Sequence, residues 1–153
     1  MKNLFTRTCR PLLRALGLGA FLVGAAHAAP VPVAVTGYNA DVVADGTGAA
    51  TTRTTFDFDG VSYALMALGY TNPAGASATV GLPVSGLINS AATPGLSFQL
   101  AAYTANNSLR INAPATGTLT LATPRTAGDL YVLASSGSGV STVGVTVTFT
   151  DGT

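Results

Sequence analysis

The chain has no glutamate and no tryptophan, and its single lysine, histidine and cysteine (Lys2, His27 and Cys9) all fall within the first 28 residues. Each absence excludes a chemistry. Beyond residue 28 there is no histidine to activate a serine or cysteine nucleophile. No Cys/His set remains for a tetrahedral zinc site. There is no lysine for a Schiff base or a phosphate-binding loop, and no thiol pair for a disulfide. Long hydrophobic runs are also missing. The apolar stretch Ala15 to Ala26 covers 12 residues, short of the ~20 a membrane-spanning helix needs.

That stretch has another reading. Lys2, Arg7, Arg10 and Arg14 precede it and Ala26-His27-Ala28 follows it. A basic start, an apolar middle and a small-x-small end make a secretory signal peptide over residues 1–28, helical before cleavage. Cys9 lies before the apolar stretch, where a lipid-bearing cysteine would not be, so lipidation is not indicated. The expected location is secreted or at the cell surface, without a membrane span. The remaining 125 residues, 29–153, suffice for one domain.

Removing the leader also reverses the charge. The whole chain carries +1, but residues 29–153 hold only Arg53, Arg110 and Arg125 against six aspartates, a net −3. Three scattered arginines are not the basic footprint of a nucleic-acid binder. What the chain has in plenty is Thr, Val, Ala and Gly. Thr and Val branch at Cβ and favour pleated structure, and Gly and Pro interrupt at short intervals. No window carries a 3.6-residue stripe. The expectation is an all-β domain, an antiparallel β-sandwich whose strands contribute alternate Val, Leu, Ile and Phe to a core.

The clearest alternation is the last. Val143, Val145, Val147 and Phe149 share one face, with Thr142, Thr146, Thr148 and Thr150 on the other. Leu119 and Leu121, Leu109 and Ile111, and Phe56 and Phe58 repeat the pattern, and Val31–Tyr38 and Ser97–Ala102 are further strands. Leu130 to Ala134 is continuously apolar, as a central strand covered on both faces would be. Val61–Leu65 reads as strand, whereas Ala64–Leu68 could equally wind into one helical turn ending at Gly69. Thr79–Ala92 reads as an extended connection. Asp151-Gly152 signals a hairpin with only Thr153 after it, which suggests the N-terminal part of a longer gene product.

Two groups of residues could carry chemistry. Asp57 and Asp59, with Gly60, place hard oxygen donors on a tight turn that suits calcium, and Asp41 and Asp45 could add ligands if the preceding loop folds over. The alternative is an Asp-Gly hairpin turn with Asp57 solvated. Calcium is the one cofactor this set suits. As a carboxyl pair for glycoside hydrolysis, Asp57 and Asp59 would lie about 6.5–7 Å apart at Cα on one strand face, but nothing marks one as the acid, so no catalytic role is expected. The second group is Tyr103 with Asn106, Asn107 and Arg110. An aromatic ring beside amides and a guanidinium is what a sugar ring or a surface polymer binds to; equally, Tyr103 packs over the end of a sandwich and the asparagines make a turn.

Several phrases resemble one family. VTGYNADVVADG (Val35 to Gly46), the core of FDGVSYAL (Phe58 to Leu65), GLPVSGLINSAATPGLSFQLAAYTANNSLRI (Gly81 to Ile111), GTLTLATP (Gly117 to Pro124) and DLYVLASSGSG through VTVTFTDGT (Asp129 to Thr153) are similar to a module near the N-terminus of secreted Bacteroidota-type cell-surface proteins. The order of elements also resembles galactose-binding-like jelly rolls attached to secreted glycoside hydrolases. The resemblance implies a jelly-roll sandwich and a non-catalytic extracellular role in adhesion or glycan binding. Alternatives are a ligand-free structural domain of a larger exoprotein and an accessory module of a glycoside hydrolase.

Overall fold

The β-branched and alanine-rich stretches pair as strands, but only over two or three residues at a time. The computed structural model describes residues 29–112, 114–137 and 139–151. The expected signal peptide, residues 1–28, lies outside them, as do Gly152 and Thr153 of the terminal turn. In chain order the elements are β1 (Val35–Thr36), β2 (Val43–Ala44), α1 (Ala50–Arg53), β3 (Leu65–Met66), β4 (Leu87–Asn89), β5 (Ser97–Gln99) and β6 (Thr120–Leu121). Among the described residues helix is limited to the one turn of α1, and no helix is long and apolar enough to cross a membrane.

The strands form three two-stranded sheets, β1–β6, β2–β3 and β4–β5. The first and third are antiparallel, with Val35 opposite Leu121 and Ile88 opposite Phe98. The second is parallel, with Val43 beside Leu65 and Ala44 beside Met66. This corrects the expectation of antiparallel pairing throughout. Parallel neighbours need a crossover of a dozen or more residues, and the chain between Ala44 and Leu65 provides one, carrying α1 and the turn at Asp59.

The core sits on β2. All five residues from Ala40 to Ala44 are buried, and Ala40, Val42, Val43 and Ala67 form the central cluster, with Leu65, Leu82 and Tyr103 packed against it. Single backbone bridges extend this ribbon on both sides: Ala40 to Ser108 antiparallel, and Ala67 to Leu82 parallel. The Ala40 and Ala67 side chains are small enough for neighbouring backbones to approach closely. Tyr70, 4% exposed, closes one end and donates its hydroxyl to the Gly48 carbonyl at 2.7 Å.

Between β2 and α1 the chain folds back on itself. Arg53 donates Nε to the Asp45 carbonyl at 2.8 Å and pairs with its carboxylate at 3.1 Å. Gly46 lies beneath that guanidinium at φ +62°, where a Cβ would come within 2.7 Å of the terminal nitrogen. Only glycine accepts both the left-handed backbone and the close approach.

Other expectations need correction. Leu65–Met66 is strand, and the chain turns at Leu68–Gly69 instead of continuing as helix; the hydrogen bonds from Leu65 N to Val42 O and from Ala67 N to Ala44 O take the donors a helix would have used. The helical turn falls at Ala50–Arg53 instead, where Thr52 and Thr54 return their hydroxyls to the Ala49 and Ala50 carbonyls. Thr79–Ala92 contains β4. Phe56–Phe58 and Leu109–Ile111 belong to loops. The largest difference lies at the end of the described chain. Leu130–Ala134 is exposed along its length, and Val143, Val145, Val147 and Phe149 are 49–66% exposed. Neither segment pairs as a strand among the described residues. Alternation prepares a strand, but a neighbouring strand must take its N–H and C=O groups, and the described residues provide none.

Candidate functional site

Asp41 organises the loops around β2. Its backbone N–H donates to the Thr55 hydroxyl at 2.8 Å, and its carbonyl accepts from the Thr55 and Phe56 amides. Its carboxylate Oδ1 accepts from the Val43 amide at 3.2 Å and from Asn107 Nδ2 at 2.6 Å. Asn107 completes the link by accepting from the Val42 amide at 3.1 Å. Asp41 is only 9% exposed, and every lone pair used here replaces water.

Arg110 forms a second brace. Asn39 and Arg110 exchange side-chain and backbone hydrogen bonds, at 2.7 and 3.0 Å, as paired strands would. The guanidinium donates to the Asp57 carbonyl and carboxylate at 3.1 and 3.3 Å, to Asn112 at 2.9 Å, and lies 5.5 Å from the centre of the Phe56 ring. Asp57 accepts the Ser62 amide on its other oxygen, and Asp59 accepts the Val61 and Tyr63 amides. Ser62 stands at φ +73°, a left-handed position rare for a residue with a Cβ. Two carboxylates capping successive amides support that turn.

The four aspartates considered for calcium therefore do not gather. Asp41 serves Asn107 and Val43, Asp45 serves Arg53, and Asp57 and Asp59 cap one turn. Among the described residues no three His, Cys, Asp or Glu come together as a metal site would require.

The second group is brought together only in part. Asn107 and Arg110 are the braces just described. Asn106 donates weakly to the Tyr38 carbonyl at 3.4 Å. Tyr103 packs on the core cluster and donates its hydroxyl to the Pro83 carbonyl at 2.8 Å. Burial raises the Tyr103 pKa above the usual 10.0, because the phenolate would lose its water. A shallow cleft runs past Tyr103 and is lined by Val84, Gly86 and Gln99.

A different surface has the features of a binding shelf. A cleft of about 170 Å³ opens between α1 and the Asp59 turn, lined by Thr51, Thr54, Thr55, Phe56, Asp57 and Tyr63, among others. Phe56 is 51% exposed and Tyr63 is 69% exposed. Two exposed rings present stacking faces beside the Thr51 hydroxyl, while Thr54, Thr55 and Asp57, already bonded within the fold, offer their remaining acceptor lone pairs. Sequence reasoning assigned Phe56 to a strand and counted Tyr63 among the rings available for stacking without singling it out. The signal it passed over is the Thr-Thr-Arg-Thr-Thr run at 51–55 ending in Phe56. Comparison with protein-family models, with curated proteins and with solved structures gives no match to the chain.

Proposed function

We propose that the protein is a secreted or cell-surface, non-catalytic β-module that holds a neutral sugar of a glycan or surface polymer on the Phe56–Tyr63 shelf. The observation that carries this reading is the pair of exposed aromatic rings flanking a threonine-lined cleft. Apolar faces of sugar rings stack on such aromatics, and hydroxyls meet the threonines and Asp57. The basic, apolar and small-x-small order of residues 1–28 supports export. The lack of His, Cys, Lys and Glu beyond residue 28 supports a binding role over a catalytic one. The finer architecture proposed is a galactose-binding-like jelly roll. It is supported by the alternation at 118–121 and 142–150, which extends beyond the paired strands.

Gel electrophoresis through neutral polysaccharides tests the binding. Retardation by at least one polymer, lost in Tyr63→Ala and kept in Val80→Ala, is the expected result. A folded protein that no polymer retards would overturn the sugar reading. A structural domain of a larger exoprotein is the second reading, favoured by Asn107 and Arg110, which spend their side chains tying loops together.

A further inference from the structure

Nine large apolar side chains between Leu130 and Phe149 stand about half exposed or more, from Tyr131 at 48% to Val140 at 103%. Apolar side chains exposed in such number mark an interaction site. We propose that a second copy of the chain covers it, by antiparallel pairing of residues 142–150 about a two-fold axis at Thr146. This goes beyond the sugar shelf and does not depend on it.

Three observations favour a second copy over another partner. The first is self-complementarity. Antiparallel pairing centred on residue 146 sets Val143 opposite Phe149 and Val145 opposite Val147, so apolar meets apolar on one face; on the other, Thr142 meets Thr150, Thr146 meets its own copy and Thr148 meets Gly144. Such β-branched and hydroxyl pairs stabilise neighbouring strands. The second is charge. No Asp or Arg lies between Leu130 and Thr150, so two acidic copies meet without repulsion along the strip. Asp151 of each copy would fall beside Ser141 of the other, leaving the two carboxylates about 33 Å apart at 3.3 Å per residue. The third is area. The nine side chains, with Leu130–Leu133 among them, approach the ~800 Å² per partner that a stable dimer covers. The edge also lacks the lysines, prolines and inward charges that keep unpaired strands apart.

The strip is tied to the rest of the fold at one end. Ser136 bonds the Gly139 carbonyl and the Ser141 hydroxyl, closing the turn before Val143. Gly137 rests on the Asp59 turn, where a Cβ would come within 2.5 Å of the Asp59 Cα. The pairing segment is thus offered from a fixed base.

Sedimentation of the purified protein over a dilution series, with hydrogen exchange on the same samples, tests the proposal. The expected result is a reversible dimer in which alternate amides of 143–149 are protected, with protection lost on dilution. Val145→Lys with Val147→Lys weakens the dimer by about tenfold or more, while Val80→Lys, at an exposed valine elsewhere, leaves it intact. The lysine substitutions fall outside the core, so the Tyr70 and β2 amides should keep their protection. A monomer at every concentration would overturn the proposal. So would protection of 143–149 that does not change on dilution, which would mean that the chain covers its own strip. Open-ended polymers would rule out two-fold closure.

Discussion

Residues 39–112 and residues 114–151 are built from the same residue types, yet one part is knitted together and the other lies on the surface. Every buried apolar side chain falls between Ala40 and Leu96. In the second part every described residue except Gly137 is exposed. Alternation is better in the second part, where Val143–Phe149 is nearly perfect, and poorer in the first, where β2 is flanked by Asp41 and Asp45. The difference lies in side chains that bond to distant backbone. Asn107, Asn39 and Arg110 each satisfy main-chain groups more than 50 positions away. Pattern selects which face of a strand is apolar, whereas these long-range polar links hold the loops around β2.

The sharpest way to break the first region is Asn107→Ala. It strands the Val42 amide and removes the donor to Asp41, and should cost about 2–3 kcal/mol in urea unfolding. Next comes a matched pair. Val43→Ala, in the core at 3% exposure, should cost about 2 kcal/mol from lost burial and the cavity left behind. Val145→Ala should change monomer stability by less than about 0.5 kcal/mol. Equal costs at the two sites would erase the contrast between the regions. Arg110→Met keeps an unbranched side chain and removes the ion pair with Asp57 and the charge over Phe56. A loss of about 1 kcal/mol is expected, smaller in high salt.

The smallest effect is expected at Tyr103. Its raised pKa means the folded protein holds the phenol proton more tightly than the unfolded chain. That stabilisation is complete below pH 10.0 and is lost as pH rises through the folded value. Tyr103→Phe should therefore lower stability slightly at neutral pH, through the lost bond to Pro83, and flatten the alkaline decline measured by thermal melts.

Much of the strand-and-turn character was legible in the sequence, because Thr, Val and closely spaced Gly and Pro leave little room for helix. Val35–Thr36, Ser97–Gln99 and Thr120–Leu121 lie within segments expected as strands. The parallel pairing of Val43 with Leu65 was not legible, since nothing local in either strand encodes the direction of its neighbour. The candidate site was partly legible by type: Asn107 and Arg110 do hold the loops around β2, while Tyr103 bonds elsewhere, at Pro83. Their roles were not, because whether Asn107 faces solvent or the Val42 amide depends on a residue 65 positions away. Phe56 was misjudged for the same reason, since its loop becomes a shelf only when Arg110 returns to it.

The bond between Asp41 and Asn107 spans 66 positions. A chain made amino end first cannot close that loop until Asn107 has been added. Closure over such a span costs entropy before any contact repays it. Compaction around Asp41 is then timed by the arrival of a single late asparagine.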